Sequence, residues 1–184
     1  MIFQAIDIIK VELNNALISA ELGNIGEIVS GTGNNHGVNA DIIISLINIE
    51  ENRVSRDPTP YVRNDSGIRY KNPAIHLNLT LLFTSVKHSG GYESSLQSIQ
   101  QLIEFFQTKY VFDHINTPAL DPGIEKIILE LLSLNLEQLH QLWSMLGGKY
   151  HPSVAYRMRM VTIDKDTGIS GPLITEIETN YHLK

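Results

Sequence analysis

Apolar residues recur along the chain with the period of an α-helix in three places. The stretch Met1–Ala20 follows the i, i+3, i+4 spacing of an amphipathic helix, and Tyr92–Tyr110 repeats it. A third helix is predicted over Leu136–Leu146, where Asn135 and Gln138 stand three residues apart as in a capping box. Two glycines follow this segment and are typical of a helix end.

A second, alternating pattern predicts strands. Pro73–Val86 carries it most cleanly, and Ser153–Ile163 and the shorter Lys126–Leu132 also indicate strands. Ala40–Ile49 is apolar on both faces, which favours a central strand, and Pro172–Thr179 is a more polar last strand. The order of helices and strands predicts an α+β fold. We expect a single domain with a mixed or largely antiparallel sheet packed by about three helices.

Six apolar residues are the clearest candidates for the structural core. Trp143 and Leu139 of the third helix are expected to pack against the inward face of Ile75–Phe83 or Val154–Met160. Their helix face lies between two strands with a clear alternating pattern. The six residues are Leu77, Leu79, Leu81, Leu139, Trp143 and Tyr156.

The length of 184 residues fits one domain, 1–184. Glycine-rich and polar composition predicts flexible loops near 23–37 and 50–72, and the terminal strand lies near 172–179. There is no internal repeat and no composition break that marks a second domain.

Composition and charge exclude several classes of protein. The chain has 0 cysteines, which removes disulfides, thiolate metal sites and cysteine nucleophiles. A net charge of −6 argues against a dedicated nucleic-acid binder. The first residues include Asp7 and Lys10, so they do not form an export signal, and no apolar run approaches the roughly 20 residues of a membrane span. We expect a protein without a signal peptide or a membrane contact.

No motif predicts catalytic chemistry. The segment Gly26–Thr32 has glycines at phosphate-loop spacing but lacks the lysine that contacts phosphates. None of the 7 histidines has a metal-binding spacing, and no serine lies in a nucleophile elbow. The sequence therefore predicts no catalytic, cofactor-binding or metal-binding residues.

The 50–72 loop mixes basic and aromatic side chains, a composition that can bind single-stranded nucleic acid. Four acidic residues nearly cancel its positive charge, so a protein contact or a plain solvated loop remain alternatives. The candidate interface residues in it are Arg53, Arg56, Tyr61, Arg63 and Arg69.

The terminal segment is a second candidate interface. It has few apolar residues, and Pro172 cannot donate a ladder hydrogen bond, so it is expected at a sheet edge. An edge strand can pair with a strand of another subunit, or form a hairpin with Ser153–Ile163. The residues concerned are Leu173, Ile174, Thr175, Glu176 and Ile177.

Three blocks of sequence resemble one known family. They are VNADIIISLINIEENRVSR (Val38–Arg56), NPAIHLNLTLLFTSV (Asn72–Val86) and the segment Leu132–Asp164, which contains Leu-Trp-Ser at Leu142–Ser144 and Pro-Ser-Val-Ala-Tyr at Pro152–Tyr156. The opening helix fits as well. The family is the cap, or tail-terminator, protein of extracellular contractile injection systems, which are phage-tail-like particles such as the antifeeding prophage and the Photorhabdus virulence cassettes.

The resemblance implies a structural role in one tail-terminator-like domain. Family members form a six-fold ring that closes the inner tube and contractile sheath at the end away from the baseplate. The implied partners are further copies of the chain in a homohexamer, the inner tube protein and the sheath protein. No cofactor, nucleic acid or membrane is implied.

The resemblance also implies a protein made in the bacterial cytoplasm and built into a particle that can be released. The alternatives are a tail-completion or connector protein of another phage-like particle, a small enzyme with scattered site residues, and a nucleic-acid-binding module.

Overall fold

A computed structural model describes residues 1–30, 40–53, 61–64, 67–70, 74–86, 91–163 and 169–170. The elements run in the order α1 (Ile2–Asn15), β1 (Ala20–Leu22), α2 (Ile25–Ser30), β2 (Ile42–Glu51), β3 (Tyr61–Asn64), β4 (Gly67–Tyr70), β5 (Ile75–Ser85), α3 (Gly91–Thr108), β6 (Val111–Asp113), β7 (Lys126–Leu132), α4 (Leu136–Met145), β8 (Ser153–Ile163) and β9 (Ile169–Ser170).

The centre of the molecule is a six-stranded sheet in the order β1-β2-β5-β8-β7-β6. Strands β1 and β2 are parallel and the other neighbours are antiparallel. The long strands β5 and β8 occupy the middle, where their alternating side chains meet helices on both faces. The predicted α+β class and mixed sheet are confirmed, and the short helix α2 is added to the three that the sequence predicts.

The two faces of the sheet pack against different helices. On the first, here called the α1/α3 face, Leu77, Leu79, Leu81 and Phe83 of β5 meet α1 and α3. On the second, the α2/α4 face, Leu82 contributes to a smaller cluster formed with α2 and α4. Neighbouring residues of one strand therefore belong to different cores, as the two-residue period of a strand requires.

The predicted core residues divide between these faces. Leu77, Leu79, Leu81 and Tyr156 are buried on the α1/α3 face. Trp143 is buried and Leu139 is partly buried on the opposite face, beside residues such as Leu82 and Ala155. The expectation that Trp143 packs against the same strand face as Leu79 is therefore wrong. The alternation of β5 and β8 does not reveal which apolar face each helix covers.

A β-bulge changes the expected alternation in β8. Leu77 pairs with Val161 and Leu79 pairs with Met158, so β8 has one residue more than β5 in this stretch. Met158 and Val161 consequently both lie in the α1/α3 core. The strict alternation predicted for Ser153–Ile163 therefore breaks between Met158 and Val161.

The first helix ends earlier than its apolar stripe predicts. It stops at Asn15, and Ala20–Leu22 forms β1 in parallel register with β2. The Ile18 N–H bonds to the Leu13 carbonyl oxygen at 2.9 Å, and the Leu17 N–H bonds to the Asn14 carbonyl oxygen at 3.0 Å. These two bonds form a Schellman motif, which ends a helix within one turn.

The two predicted loops contain regular structure. Helix α2 lies within 23–37, where its buried Ile25 anchors it to the α2/α4 face. Within 50–72, β3 and β4 form a hairpin to which β9 adds a third strand. The sequence pattern did not predict β3 and β4, because these strands have four residues each and lack alternation. Their backbones satisfy each other's hydrogen bonds without a predicted apolar face.

Candidate assembly surfaces

The predicted basic and aromatic interface is associated with the small β3-β4-β9 sheet. Arg53 follows β2, is exposed and forms an ion pair with Glu51 at 3.3 Å. Tyr61 and Arg63 belong to β3, and Arg69 belongs to β4 opposite Val62. The side chains of these three residues, and all of Arg56, lie outside the described part of the chain. The structure thus joins Tyr61, Arg63 and Arg69 through one hairpin backbone.

The predicted terminal strand lies outside the described residues. This holds for Leu173, Ile174, Thr175, Glu176 and Ile177 alike. The strand that precedes it, β9, pairs with β4 through Ser170 opposite Arg69 and Ile169 opposite Tyr70. At Ile169 and Ser170 the chain therefore pairs with β4 of the small sheet and not with β8.

The described residues offer no clustered metal ligands. Among them, no group of three or more His, Asp or Glu side chains could hold an ion. His76, on the polar side of β5, is within 3.0 Å of the Thr162 hydroxyl, which gives it a local structural partner. Within the same described ranges, no helix is long and apolar enough to cross a bilayer.

A leucine in an unfavourable backbone conformation marks the end of α1. Leu17 has φ +62° and is 95% exposed. Its neighbours Ala16 and Ile18, together with Glu104 and Phe105 of α3, line a shallow groove. Sequence analysis missed this site because the stripe of α1 appeared to continue through Leu17. The available signal was the pair Asn14–Asn15, since asparagine is common near helix ends.

The opposite face carries a groove beside α4. The Asn135 side chain accepts a hydrogen bond from the Gln138 N–H at 2.8 Å, so the predicted capping box positions the start of this helix. Leu136 is 85% exposed and Tyr150 is 55% exposed, while the buried Trp143 forms the wall between them. The Trp143 and Tyr150 rings make an edge contact with centroids 5.7 Å apart.

This surface, here called the α4 groove, comprises two adjoining depressions that share Leu139 and Tyr150. His140 and Ser144 provide polar atoms in its wall. Gly147 and Gly148 have φ +109° and +77°, conformations that redirect the chain from α4 to Tyr150. The groove is lined by Leu131, Leu136, Leu139, Trp143, Ser144 and Tyr150.

Helix α3 is apolar on more than its buried side. Leu102 and Phe106 are buried in the α1/α3 core, whereas Tyr92, Leu96 and Ile103 are exposed. The exposed three follow helical spacing and form a second apolar stripe. A helix with two apolar stripes has more apolar surface than its own core requires.

Three interactions stabilise the α1/α3 face. Lys109 forms an ion pair with Glu12 that is largely shielded from solvent, and its ammonium lies 5.1 Å from the centroid of the Phe112 ring. The Tyr156 and Phe106 rings contact each other at a tilt, with centroids 4.7 Å apart, and burial raises the pKa of the Tyr156 hydroxyl above the ordinary value of 10.0. These contacts tie α1, α3 and the strands together on this face.

An α+β domain with exposed apolar side chains on both sides of its sheet has the features of a protein that contacts other proteins. The sequence matches the family described as the Pvc16 N-terminal domain over residues 4–176, so the chain belongs to that family. The resemblance predicted from the sequence is thereby confirmed.

Two solved structures share the fold. One is described as the PVC sheath/tube terminator of an extracellular contractile injection system in the extended state, with TM-score 0.67 and 13% identity over 100% of this chain and 64% of that one. The other is the anti-feeding prophage cap, described as a tube-terminating cap, with TM-score 0.55 and 16% identity over 81% and 52%. The chain thus spans less than two thirds of each. A comparison with curated protein sequences found no match.

Proposed function

We propose that this protein is a structural cap that ends the inner tube and contractile sheath of a phage-tail-like injection particle. The observation that carries this proposal is the family match over 4–176, together with a fold shared along the whole chain with a sheath/tube terminator. In this proposal, residues 1–184 form one terminator domain. Copies of it assemble into a closed ring, which the resemblance suggests is a homohexamer, at the end away from the baseplate.

The described structure supports a role in assembly. Its exposed apolar residues include Leu17 after α1, Leu96 of α3 and Leu136 of α4, so they are found on both faces of the sheet. A ring protein at the end of a tube needs one surface for each lateral neighbour and another for the particle beneath it. Several separate apolar surfaces on one small domain meet that requirement, whereas a single enzyme site does not need them.

We assign the contact with tube or sheath to the small sheet and the segment after it. Arg53, Arg56, Tyr61, Arg63 and Arg69 belong to this region, and the small sheet ends with β9. The terminal segment with Leu173, Ile174, Thr175, Glu176 and Ile177 follows directly and is proposed to pair with a neighbouring subunit or the sheath. A chain ending at Gly171 should fold nearly normally and fail to cap particles. Capping at the full yield by that chain would remove this assignment.

Localisation on the particle tests the proposed function. A small affinity tag at the N-terminus, labelled with gold, should appear in electron micrographs at one end of each extended particle, opposite the baseplate. Labelling of a sheath subunit provides the control, because it should decorate the full length. Gold along the sheath, at the baseplate or absent from intact particles would contradict the role as a cap.

A further inference from the structure

Leu17 occupies a position that most leucines avoid. It is the residue after the C-cap in the Schellman motif of α1, where glycine is usual because the left-handed conformation brings a side chain close to the backbone. The φ of +62° is the only positive value among the non-glycine residues that the structure describes. A leucine here destabilises the helix end relative to glycine.

The side chain obtains almost no compensation from its own chain. It is 95% exposed, so its methyl groups remain in water and gain little packing energy. Ile115 is a useful comparison, since it is 91% exposed but has an ordinary negative φ. Leu17 therefore has two unfavourable features in the isolated chain, and a contact with another molecule would account for both.

A matching depression lies on the other side of the sheet. The shallow groove beside Leu17, here called the Leu17 groove, belongs to the α1/α3 face. Its lining residue Phe105 of α3 packs against that core. The α4 groove belongs to the α2/α4 face, and its part beside Trp143 is an open cavity of about 230 Å³ with apolar walls of Leu136, Leu139 and Tyr150. One branched aliphatic side chain suits such a cavity, where the half-exposed rings and leucines would leave water.

Charges beside the two sites are complementary. The carboxylate of Glu104 lines the Leu17 groove, while His140 lines the α4 groove and the exposed Lys149 follows Gly148 at its rim. Glu137 bonds to Gln141 at 3.3 Å and is not part of the groove lining. An acidic group beside a projecting leucine and the ammonium group of Lys149 beside an apolar cavity favour one relative orientation of two copies.

We propose that Leu17 of one copy inserts into the α4 groove of the next copy, forming the lateral contact between subunits. The projection and the cavity are different surfaces, so the contact is heterologous, and repeating it gives a closed ring when the rotation closes. This inference names the lateral interface of the ring described under the proposed function and rests on it for the biological role.

Purified protein tests the contact without tube or sheath. Sedimentation velocity over a concentration series should show self-association of the unsubstituted chain. Leu17→Asp should weaken it by about tenfold or more, the loss expected when one leucine no longer leaves water. Ile115→Asp, the matched control, should leave it unchanged. An unsubstituted chain that stays monomeric at every concentration, or equal effects of the two variants, would overturn the proposal.

Leu17→Gly separates this role from a purely structural one. Glycine relieves the left-handed strain, so the melting temperature at a concentration where the chain is monomeric should rise by about 2–4 °C. Association should nevertheless weaken, because the inserted side chain is gone. A variant that is more stable and associates as well as the unsubstituted chain would show that Leu17 is not the contact.

Disulfide trapping tests the pairing itself, and the chain has 0 cysteines to interfere. Leu17→Cys combined with Leu136→Cys, Ser144→Cys or Tyr150→Cys should give a ladder of covalent multimers on mild oxidation for at least one pair. The control pair, Leu17→Cys with Ile115→Cys, should cross-link at about one tenth of that rate or at a still lower rate. Equal rates for all pairs would reject the α4 groove as the receptor. Because no particle is involved, these failures would leave the capping role itself untouched.

Discussion

The two faces of the central sheet differ in how completely they are closed. Among the described residues, 23 form the buried cluster of the α1/α3 face and 7 form that of the α2/α4 face. The first contains an aromatic group in which Phe83 and Tyr156 meet edge to face at 5.6 Å between centroids. The second depends on Trp143 and partly buried leucines of α4. Its margin remains open at Leu136 and Tyr150.

The difference suggests that the two faces of this small domain have different roles. The α1/α3 core provides the stability that holds the strands and helix ends in place. The α2/α4 face gives up part of that stability by leaving apolar side chains in water. A partner that covers these side chains would recover it, as a partner of the exposed stripe of α3 would on the other face.

The largest expected loss of stability comes from a substitution in the core of the α1/α3 face. Phe83→Ala should lower the free energy of unfolding by about 4–5 kcal/mol, because Phe83 is fully buried and touches two other rings. Urea denaturation followed by circular dichroism measures the change. A loss below about 2 kcal/mol would mean that the aromatic group is not the centre of the core.

A smaller loss of stability is expected from a substitution on the α2/α4 face. Trp143→Ala should cost about 3 kcal/mol, since the side chain is buried but borders a groove into which neighbours and water can relax. Trp143→Phe sharpens the comparison. The indole Nε1–H is buried without a hydrogen-bond partner in the described structure, so its removal should change stability by less than about 1.5 kcal/mol. If Trp143→Ala costs less than about 1 kcal/mol, Trp143 does not organise this face.

The hydrogen bond that caps the start of α4 should contribute still less to the free energy of unfolding. Asn135→Ala removes the capping hydrogen bond to the Gln138 N–H and should cost about 1 kcal/mol in urea unfolding. Ser133→Ala, on an exposed residue just before the cap, is the control. Equal stability of the two variants would show that the capping box does not stabilise the helix that lines the groove.

The smallest effect depends on pH. Burial raises the pKa of Tyr156 in the folded chain, so the folded state keeps this proton more tightly than the unfolded state does. Stability from this group is complete below the unfolded value of about 10 and falls as pH rises above it. Tyr156→Phe should therefore show a shallower loss of stability from pH 9 to about 11 than the unsubstituted chain. Tyr110→Phe, at an exposed ring, is the control and should lose stability with pH as the unsubstituted chain does. If Tyr156→Phe also loses stability with the same slope as the unsubstituted chain, Tyr156 is not the group responsible.

Strong local signals predicted the parts of the fold that have strong local causes. The strand β7 has the predicted bounds, and α4 begins after Asn135 with the capping box in place. The alternation of β5 and β8 gave their positions but not the bulge, because a bulge depends on pairing between strands distant in sequence. Strands β3 and β4 were missed because four-residue strands carry too little periodicity.

The candidate surfaces were less accessible from sequence. Leu17 looked like one more apolar residue of a helix, and only the backbone reveals its left-handed conformation. The α4 groove needs Trp143 and Tyr150 to meet across a turn of two glycines, which is a tertiary arrangement. The family, in contrast, was predicted from sequence blocks and confirmed by the match over 4–176.

The most direct measurement of the central claim is the length of particles made without this protein. Particles purified from cells that lack it should be few, or should vary widely in tube and sheath length, when measured in negative-stain electron micrographs. Expression of the unsubstituted chain from a plasmid should restore a single narrow length distribution. Uniform particles of normal length and yield that contract fully in its absence would contradict the account.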